Sequence, residues 1–350
     1  MYAYKYSMLT LDQVRRIHVE LTTRCNARCP MCMRNYRGFE YNSGYPDCEL
    51  SLEQFKHILT PAVLAMIMRP LDLFSYGFQG VSFNGNLGDF ASARDAVEIV
   101  KYLTDQNVNV HVNTNGSLRN TAWWAQLAHP RVTVGFALDG LEDTHSLYRQ
   151  DTSWNKIINN AQALIAAGGQ AVWRFVPFAH NQHQEADCRA LAKKLGFSNF
   201  ENIHDGRDST PVFTRTGEYS HQIGPDSIPA AAIPNIQDMV HSHITWFDAR
   251  TVHSAKDVTP LNLRCIHKMN REIYIAADGA VYPCCYLGFY PDTMKHPGND
   301  QTRPMIHQNN ALEHDLEHCL TWFDQVEQSW AKESIAAGRL YTCVNSCGQS

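Results

Sequence analysis

Short apolar runs alternate with longer amphipathic stretches from residue 16 to about residue 205. The runs at 17–21, 80–83, 108–113, 132–137, 171–176 and 199–203 have the length and bulk of strands. Between them, residues 51–67, 91–104, 122–127, 154–167 and 184–195 carry helical spacing. Ser51 with Gln54 three positions on predicts a capping box, and Gly168 and Gly196 fall where helix-ending glycines belong. Short strands alternating with amphipathic helices predict a parallel α/β sheet. Six such units do not complete an eight-stranded barrel but suit an open partial barrel. In that architecture, function sits on the loops that follow the strands.

The alternation stops after residue 205. Asp208-Ser209-Thr210-Pro211, Gly224-Pro225-Asp226 and Ile228-Pro229 read as turns, so residues 206–260 are expected to be an irregular bridging segment. Pattern returns near residue 261. Residues 273–283 read as two strands around an Asp278-Gly279 hairpin turn, 288–311 as an inserted loop and 311–326 as helix-like. The expected organisation is a core at 1–205, a bridge at 206–260 and a small α+β domain at 261–350.

Composition narrows the class. Of 350 residues, 44% are hydrophobic and 19% charged, the profile of a soluble globular protein. A formal net charge of −5 argues against nucleic acid or an anionic membrane surface as partner. No stretch approaches the ~20 apolar residues of a membrane span. Residues 1–6 lack the apolar core of a signal peptide, so a cytoplasmic location is expected. About fifteen residues precede the first strand, so no N-terminal peptide-binding module is expected. Eleven cysteines in such a chain argue for metal or redox use rather than disulfides.

Three of them, Cys25, Cys29 and Cys32, share one tight loop directly after the first strand. Three thiolates are one short of a closed tetrahedral site, so a metal centre held here keeps an open position. A zinc loop is the alternative, but no second Cys or His pair follows within fifteen residues. The C-x3-C-x2-C spacing resembles the signature of the radical S-adenosylmethionine (radical SAM) enzymes. That resemblance implies a (β/α)6 fold and a 4Fe–4S cluster whose fourth iron binds SAM. Met31 stands where the family usually has an aromatic residue, and its polarizable thioether is suited to packing on adenine.

Further stretches fit the resemblance. Gly85, Asn86, Gly88 and Asp89 follow the second strand and look like a variant of the family's Gly-Gly-Glu loop, which contacts the SAM ammonium. Thr114-Asn115-Gly116 is similar to the family's turn after the third strand. The stretch from Asp139 through His145 to Arg149 resembles its Asp-Gly…His…Arg stretch. It implies that Arg149 pairs with the SAM carboxylate and Asp139 with ribose or substrate. Asn181, after the fifth strand, is a candidate for ribose or adenine.

Six cysteines follow residue 260. The hairpin brings Cys265 and Cys284 together, and Cys343-x3-Cys347 adds two more thiolates, enough to enclose a cluster or a zinc. The arrangement resembles the SPASM and twitch auxiliary-cluster domains, and the shortened tail suits the one-cluster twitch form. The resemblance thus implies two 4Fe–4S clusters plus SAM, with a flavodoxin or ferredoxin as reductant. The radical released from SAM would take a hydrogen atom from the substrate. Cys285 and Cys319 are candidate hydrogen donors or buried apolar side chains. A peptide or amino-acid substrate is expected, with a small metabolite as the alternative. A non-catalytic iron–sulfur or zinc protein is the alternative of another class.

Overall fold

The computed structural model describes residues 9–39, 44–70, 77–203, 210–224, 233, 235–236, 262–263, 265–291 and 297–349. Its centre is a parallel run of six strands: β1 (Arg16–Val19), β2 (Gly80–Phe83), β3 (Val110–Thr114), β4 (Val132–Ala137), β5 (Gln170–Phe175) and β6 (Asn199–Asn202). Each pairs in parallel with the next, giving the expected partial barrel. Seven helices lie along this part of the chain: α1 (Leu52–Ile58), α2 (Pro61–Ile67), α3 (Ala96–Asp105), α4 (Thr121–Ala125), α5 (Glu142–Tyr148), α6 (Trp154–Ala166) and α7 (Glu185–Leu195).

The single helix expected over 51–67 is two. Pro61 lacks an N–H donor and opens α2 at its first turn instead of continuing α1. The Ser51 capping box is present. The Ser51 hydroxyl accepts from the Gln54 N–H at 3.2 Å, and Gln54 Oε1 accepts from the Ser51 N–H at 2.9 Å. Gly196 ends α7 in the left-handed region at φ 85°.

Side chains along the strands divide by period two. One set, including Ile17, Phe83, Val112, Phe136 and Trp173, lies in the main hydrophobic cluster with residues of α1, α3 and α6. The alternate set includes His18, Ser82, His111, Asn113, Gly135 and Arg174, all outside that cluster. The inner face of this barrel is therefore polar, unlike the interior of a closed (β/α)8 barrel, which is filled by branched side chains.

The C-terminal hairpin is not detached from the core. β10 (Glu272–Ile275) pairs in parallel with the free side of β1, and β11 (Val281–Tyr282) pairs antiparallel with β10. The sheet thus has eight strands in the order β11-β10-β1-β2-β3-β4-β5-β6. Ile273, Ile275 and Val281 join the same hydrophobic cluster as β1 to β5, because a strand covered on both faces needs apolar side chains.

Within the expected bridge, β7 (Thr210–Phe213) and β8 (Tyr219–Ile223) form an antiparallel hairpin where irregular structure was expected. Most of the rest of 206–260 lies outside the described residues. A last pair, β9 (Asn262–Leu263) with β12 (Gly348–Gln349), ties the end of the chain to the start of the C-terminal region. Among the described residues no helix is long and apolar enough to cross a membrane.

Candidate functional site

The thiol loop leaves the C-terminal end of β1 and is clamped by the glycine loop after β2. The Asp89 N–H donates to the Arg24 carbonyl at 2.8 Å. A Cβ on Gly88 would lie 1.6 Å from the Thr22 carbonyl oxygen, and one on Gly85 would lie 2.1 Å from that of Gly88. Only glycine permits this backbone approach. Gly88→Ala should therefore push the two loops apart and lower iron retention in the first centre. Iron analysis of the reconstituted variant checks this.

Donors point at the sulfurs. The Ala27 N–H lies 3.4 Å from Cys25 Sγ, Asn115 Nδ2 lies 3.7 Å from the same sulfur, and Arg149 Nη1 lies 3.8 Å from Cys29 Sγ. Burial pushes the Cys25 thiol up, and Asp89, Cys29 and Cys32 push it further, so these groups share one site. Thiolates are what bind metal, and burial without a cation disfavours them. The charge of a bound cluster supplies what the apo site lacks, and the donors suit its anionic sulfurs. This donor set fits an iron–sulfur cluster.

The other residues singled out by resemblance gather around this loop, mostly engaged with one another. Buried Asp89 accepts from the Ala91 and Asn115 N–H groups at 2.9 and 2.7 Å and from Thr114 Oγ1 at 2.9 Å, so it knits the loops after β2 and β3. Asn115 Nδ2 also donates to Asn26 Oδ1 at 3.0 Å. Fully buried Asp139 accepts from Arg149 Nε at 2.6 Å and from the Val176 N–H at 2.7 Å. Arg149 is thus held between a carboxylate and a thiol. Asn181 is occupied within its own loop, accepting from the Phe178 N–H and donating to the Val176 carbonyl. Asn86 turns away from the thiols and donates to the Cys285 carbonyl at 2.9 Å.

Met31 packs with Cys29, Tyr148, Val176, Phe178, Val212 and Ile223 in a second apolar cluster. Val212 and Ile223 belong to the β7–β8 hairpin, which walls this side of the loop. Arg215 at its turn pairs with Asp151, which also pairs with Arg28 of the thiol loop.

Glu20 was not singled out by motif. It is 1% exposed at the end of β1. Its Oε1 accepts from the Leu87 and Gly88 N–H groups at 2.6 and 2.8 Å, and its Oε2 from the Tyr274 and Tyr290 hydroxyls at 2.9 and 2.6 Å. One carboxyl group therefore joins the glycine loop to the C-terminal hairpin. The available signal was a carboxylate inside an apolar run, Ile17-His18-Val19-Glu20-Leu21.

The second cysteine group also converges. Antiparallel pairing of β9 with β12 sets Gly348 opposite Leu263, which brings Cys347 against Cys265. Cys343 and Cys347 lie four apart on the helix Tyr341–Cys347 and so share its face. With Cys284 just after β11, all four line one pocket together with Leu287, Phe323 and Trp330. Trp330 Nε1 is buried there beside the Cys343 sulfur, a donor suited to a thiolate or sulfide. Burial raises the thiols of Cys284 and Cys343, the latter to about 12. Among the described residues no three His, Cys, Asp or Glu side chains are placed to hold a single metal ion. A cluster is larger than an ion and sets its ligands farther apart.

Cys285 does not line the pocket. Burial and then the Glu272 carboxylate push its thiol up to about 12. Cys319 is fully buried in the main hydrophobic cluster.

Comparison with known proteins bears on the same residues. Residues 19–187 match the family model described as Radical SAM superfamily. A protein of Clostridium novyi (strain NT), named cysteine-type anaerobic sulfatase-maturating enzyme, is 34% identical over 77 residues, 20% of this chain and 21% of that protein. The crystal structure of Streptococcus suis SuiB superposes with a TM-score of 0.52 at 14% identity, over 89% of this chain and 66% of that chain. SuiB bound to its precursor peptide SuiA gives a TM-score of 0.52 at 14% identity, over 89% and 65%. The chain spans about a fifth of the length of the curated relative and just under two thirds of SuiB. At such identity the structural likeness establishes the fold alone. The thiol loop after β1, the glycine loop that clamps it and the six-stranded parallel sheet all fall on or beside the residues that match the Radical SAM superfamily model.

Proposed function

We propose that this protein is a radical SAM enzyme acting on a peptide or amino-acid substrate. In this reading Cys25, Cys29 and Cys32 hold the SAM-binding 4Fe–4S cluster, and Cys265, Cys284, Cys343 and Cys347 hold an auxiliary one. The observation that carries it is the convergence of three thiols after β1 with donors aimed at their sulfurs. When bound, the cluster and SAM supply a one-electron cleavage of a sulfur–carbon bond, yielding a radical that abstracts hydrogen.

The chain's own residues prepare that chemistry. Asp139 orients Arg149, whose charge faces the Cys29 sulfur and a ligand at the open side of the loop. The apolar cluster of Met31, Tyr148, Phe178, Val212 and Ile223 keeps water from one side of a reactive centre. Residues 262–349 act as the auxiliary unit and exchange electrons with the substrate, and a flavodoxin or ferredoxin supplies the reducing electron. Of the two candidate hydrogen donors, Cys285 is favoured over Cys319, which is enclosed in the core. A peptide substrate is supported by the sulfatase-maturating relative and by the likeness to SuiB bound to a precursor peptide.

Anaerobic reconstitution tests the reading. Two clusters correspond to about eight iron and eight sulfide per chain, and SAM with dithionite should give 5′-deoxyadenosine. Zinc alone without 5′-deoxyadenosine would overturn it.

A further inference from the structure

We infer that the polar inner face of the barrel is a substrate subsite, in which Arg174 and His111 receive a carboxylate; this rests on the enzyme reading above. The first observation is the departure from a filled barrel. The inner positions of β3, β4 and β5 include His111, Asn113, Gly135 and Arg174 beside Thr133, Ala137 and Val172, whereas the outer positions are apolar and packed.

The second is the way Arg174 is held. It leaves β5, crosses β4 and donates through Nη1 to Asn113 Oδ1 on β3. The crossing is possible because position 135 has no side chain. A Cβ there would lie 2.6 Å from Arg174 Cδ and 2.8 Å from Asn113 Oδ1. Glu201 Oε2 on β6 lies 3.3 Å from Arg174 Nε, yet that nitrogen makes no hydrogen bond. The guanidinium is thus fixed from both sides, and a planar fork fixed in this way suits a carboxylate.

The third is an unsatisfied ring nitrogen on the same inner face. His111 Nε2 is buried without a partner, whereas Arg174 Nε and, at the foot of β1, Arg16 Nε face the Glu201 and Glu272 carboxylates at 3.3 and 2.9 Å. Buried polar groups normally find partners, so an orphaned imidazole nitrogen on the same inner face as a fixed guanidinium points to a ligand. Burial holds the imidazole of His111 neutral, and Arg174 and then Arg16 push its pKa further down, to about 4. Both charged groups that act on His111 are therefore cationic. An anionic oxygen between His111 and Arg174 would pair the orphaned imidazole nitrogen and sit beside the guanidinium. Arg174 also senses Arg149 and Asp139, which places this subsite next to the thiol loop.

A structural clamp across β3 to β6 is the competing account, and ligand binding separates the two. The reconstituted protein, labelled with carbon-13 histidine, is titrated with three probes and His111 is followed by NMR. N-acetyl-L-alanine presents a terminal carboxylate, N-acetyl-L-glutamate α-amide an acidic side chain, and N-acetyl-L-alaninamide no charge. The expected result is a saturable shift of the His111 ring with one or both carboxylates and none with the amide; the tighter carboxylate identifies its source in the substrate. Arg174→Gln should weaken binding at least tenfold. Gly135→Ala should do the same while keeping both Arg174 and His111 in the sequence, because its methyl pushes the Arg174 side chain off its path across β4. No saturable shift with either carboxylate, an equal shift with the amide, or unchanged binding in Gly135→Ala would overturn the inference. 5′-Deoxyadenosine formation in the same preparation reports on the enzyme reading separately.

Discussion

Cys29→Ala should abolish 5′-deoxyadenosine formation, a loss of more than ~10³-fold, since enzymes exceed background by at least that margin. Cys29 is 8% exposed, faces Arg149 Nη1 at 3.8 Å and packs against Met31. Cys48, the next cysteine after this loop, has its thiol engaged with Thr23 and Tyr290 instead. Iron content should fall by about four per chain, one cluster's worth, and the remaining four should stay on the distal cysteines. Cys343→Ala is the reciprocal case. It should remove the distal iron and leave SAM cleavage measurable, because Cys343 lines the other pocket. Iron analysis and chromatography of the nucleoside product check both. Retention of cleavage in Cys29→Ala would remove this loop from the chemistry.

The second large effect is expected at Glu20. Glu20→Ala leaves two backbone N–H groups and two tyrosine hydroxyls without their shared acceptor, all in a buried site. Stranding several buried donors costs on the order of 3–5 kcal/mol, after allowance for local relaxation. The loss should appear in denaturant unfolding and should loosen the glycine loop and the C-terminal hairpin together. Glu20→Gln should cost less, because one oxygen still accepts from Leu87 and Gly88 while the amide NH2 confronts the tyrosines.

The pH dependence has a defined sign. Burial holds the Glu20 carboxyl above the usual carboxylate range, against the pull of its four donors. A raised acid gives stability that is fully present below its unfolded pKa and is lost as pH rises through the folded one. The stability gap between wild type and Glu20→Ala should therefore be widest in acid and should narrow as pH rises past the ordinary carboxylate range. A gap that widens with pH would mean that the carboxyl is held ionised instead.

Much of this molecule is legible without coordinates. The six core strands emerge within a residue or two of their expected bounds, because the apolar positions that pack against the helices mark each strand as a short run between longer amphipathic stretches. The Ser51 cap is a local event that neighbouring residues decide, whereas the break at Pro61 goes unread in a stretch whose spacing predicts one helix. The thiol loop is equally local: its spacing and its place after a strand need no tertiary information.

Other features depend on distant partners. The β7–β8 hairpin was obscured by Pro211 and by weak alternation, and what holds it is the contact of Val212 and Ile223 with the thiol loop. Asn86 and Asn181 carry the right chemistry for a cofactor contact, yet their partners are the Cys285 carbonyl and the Asn181 loop itself. Which polar atom finds which partner is a matter of ångströms that spacing does not specify.

By itself, then, the sequence determined the alternation of strands and helices, the cysteine loop and the presence of a second group of thiols, because each arises from contacts within a few residues. Only the tertiary structure decided that Glu272 lies opposite Arg16, so that the hairpin extends the core sheet, and that Cys265 meets Cys347. The same folding gathered His111, Asn113, Gly135 and Arg174 on one polar inner face. Those pairings close loops of tens to hundreds of residues, and their cost is offset by burial and hydrogen bonding that exist only once the sheet is assembled.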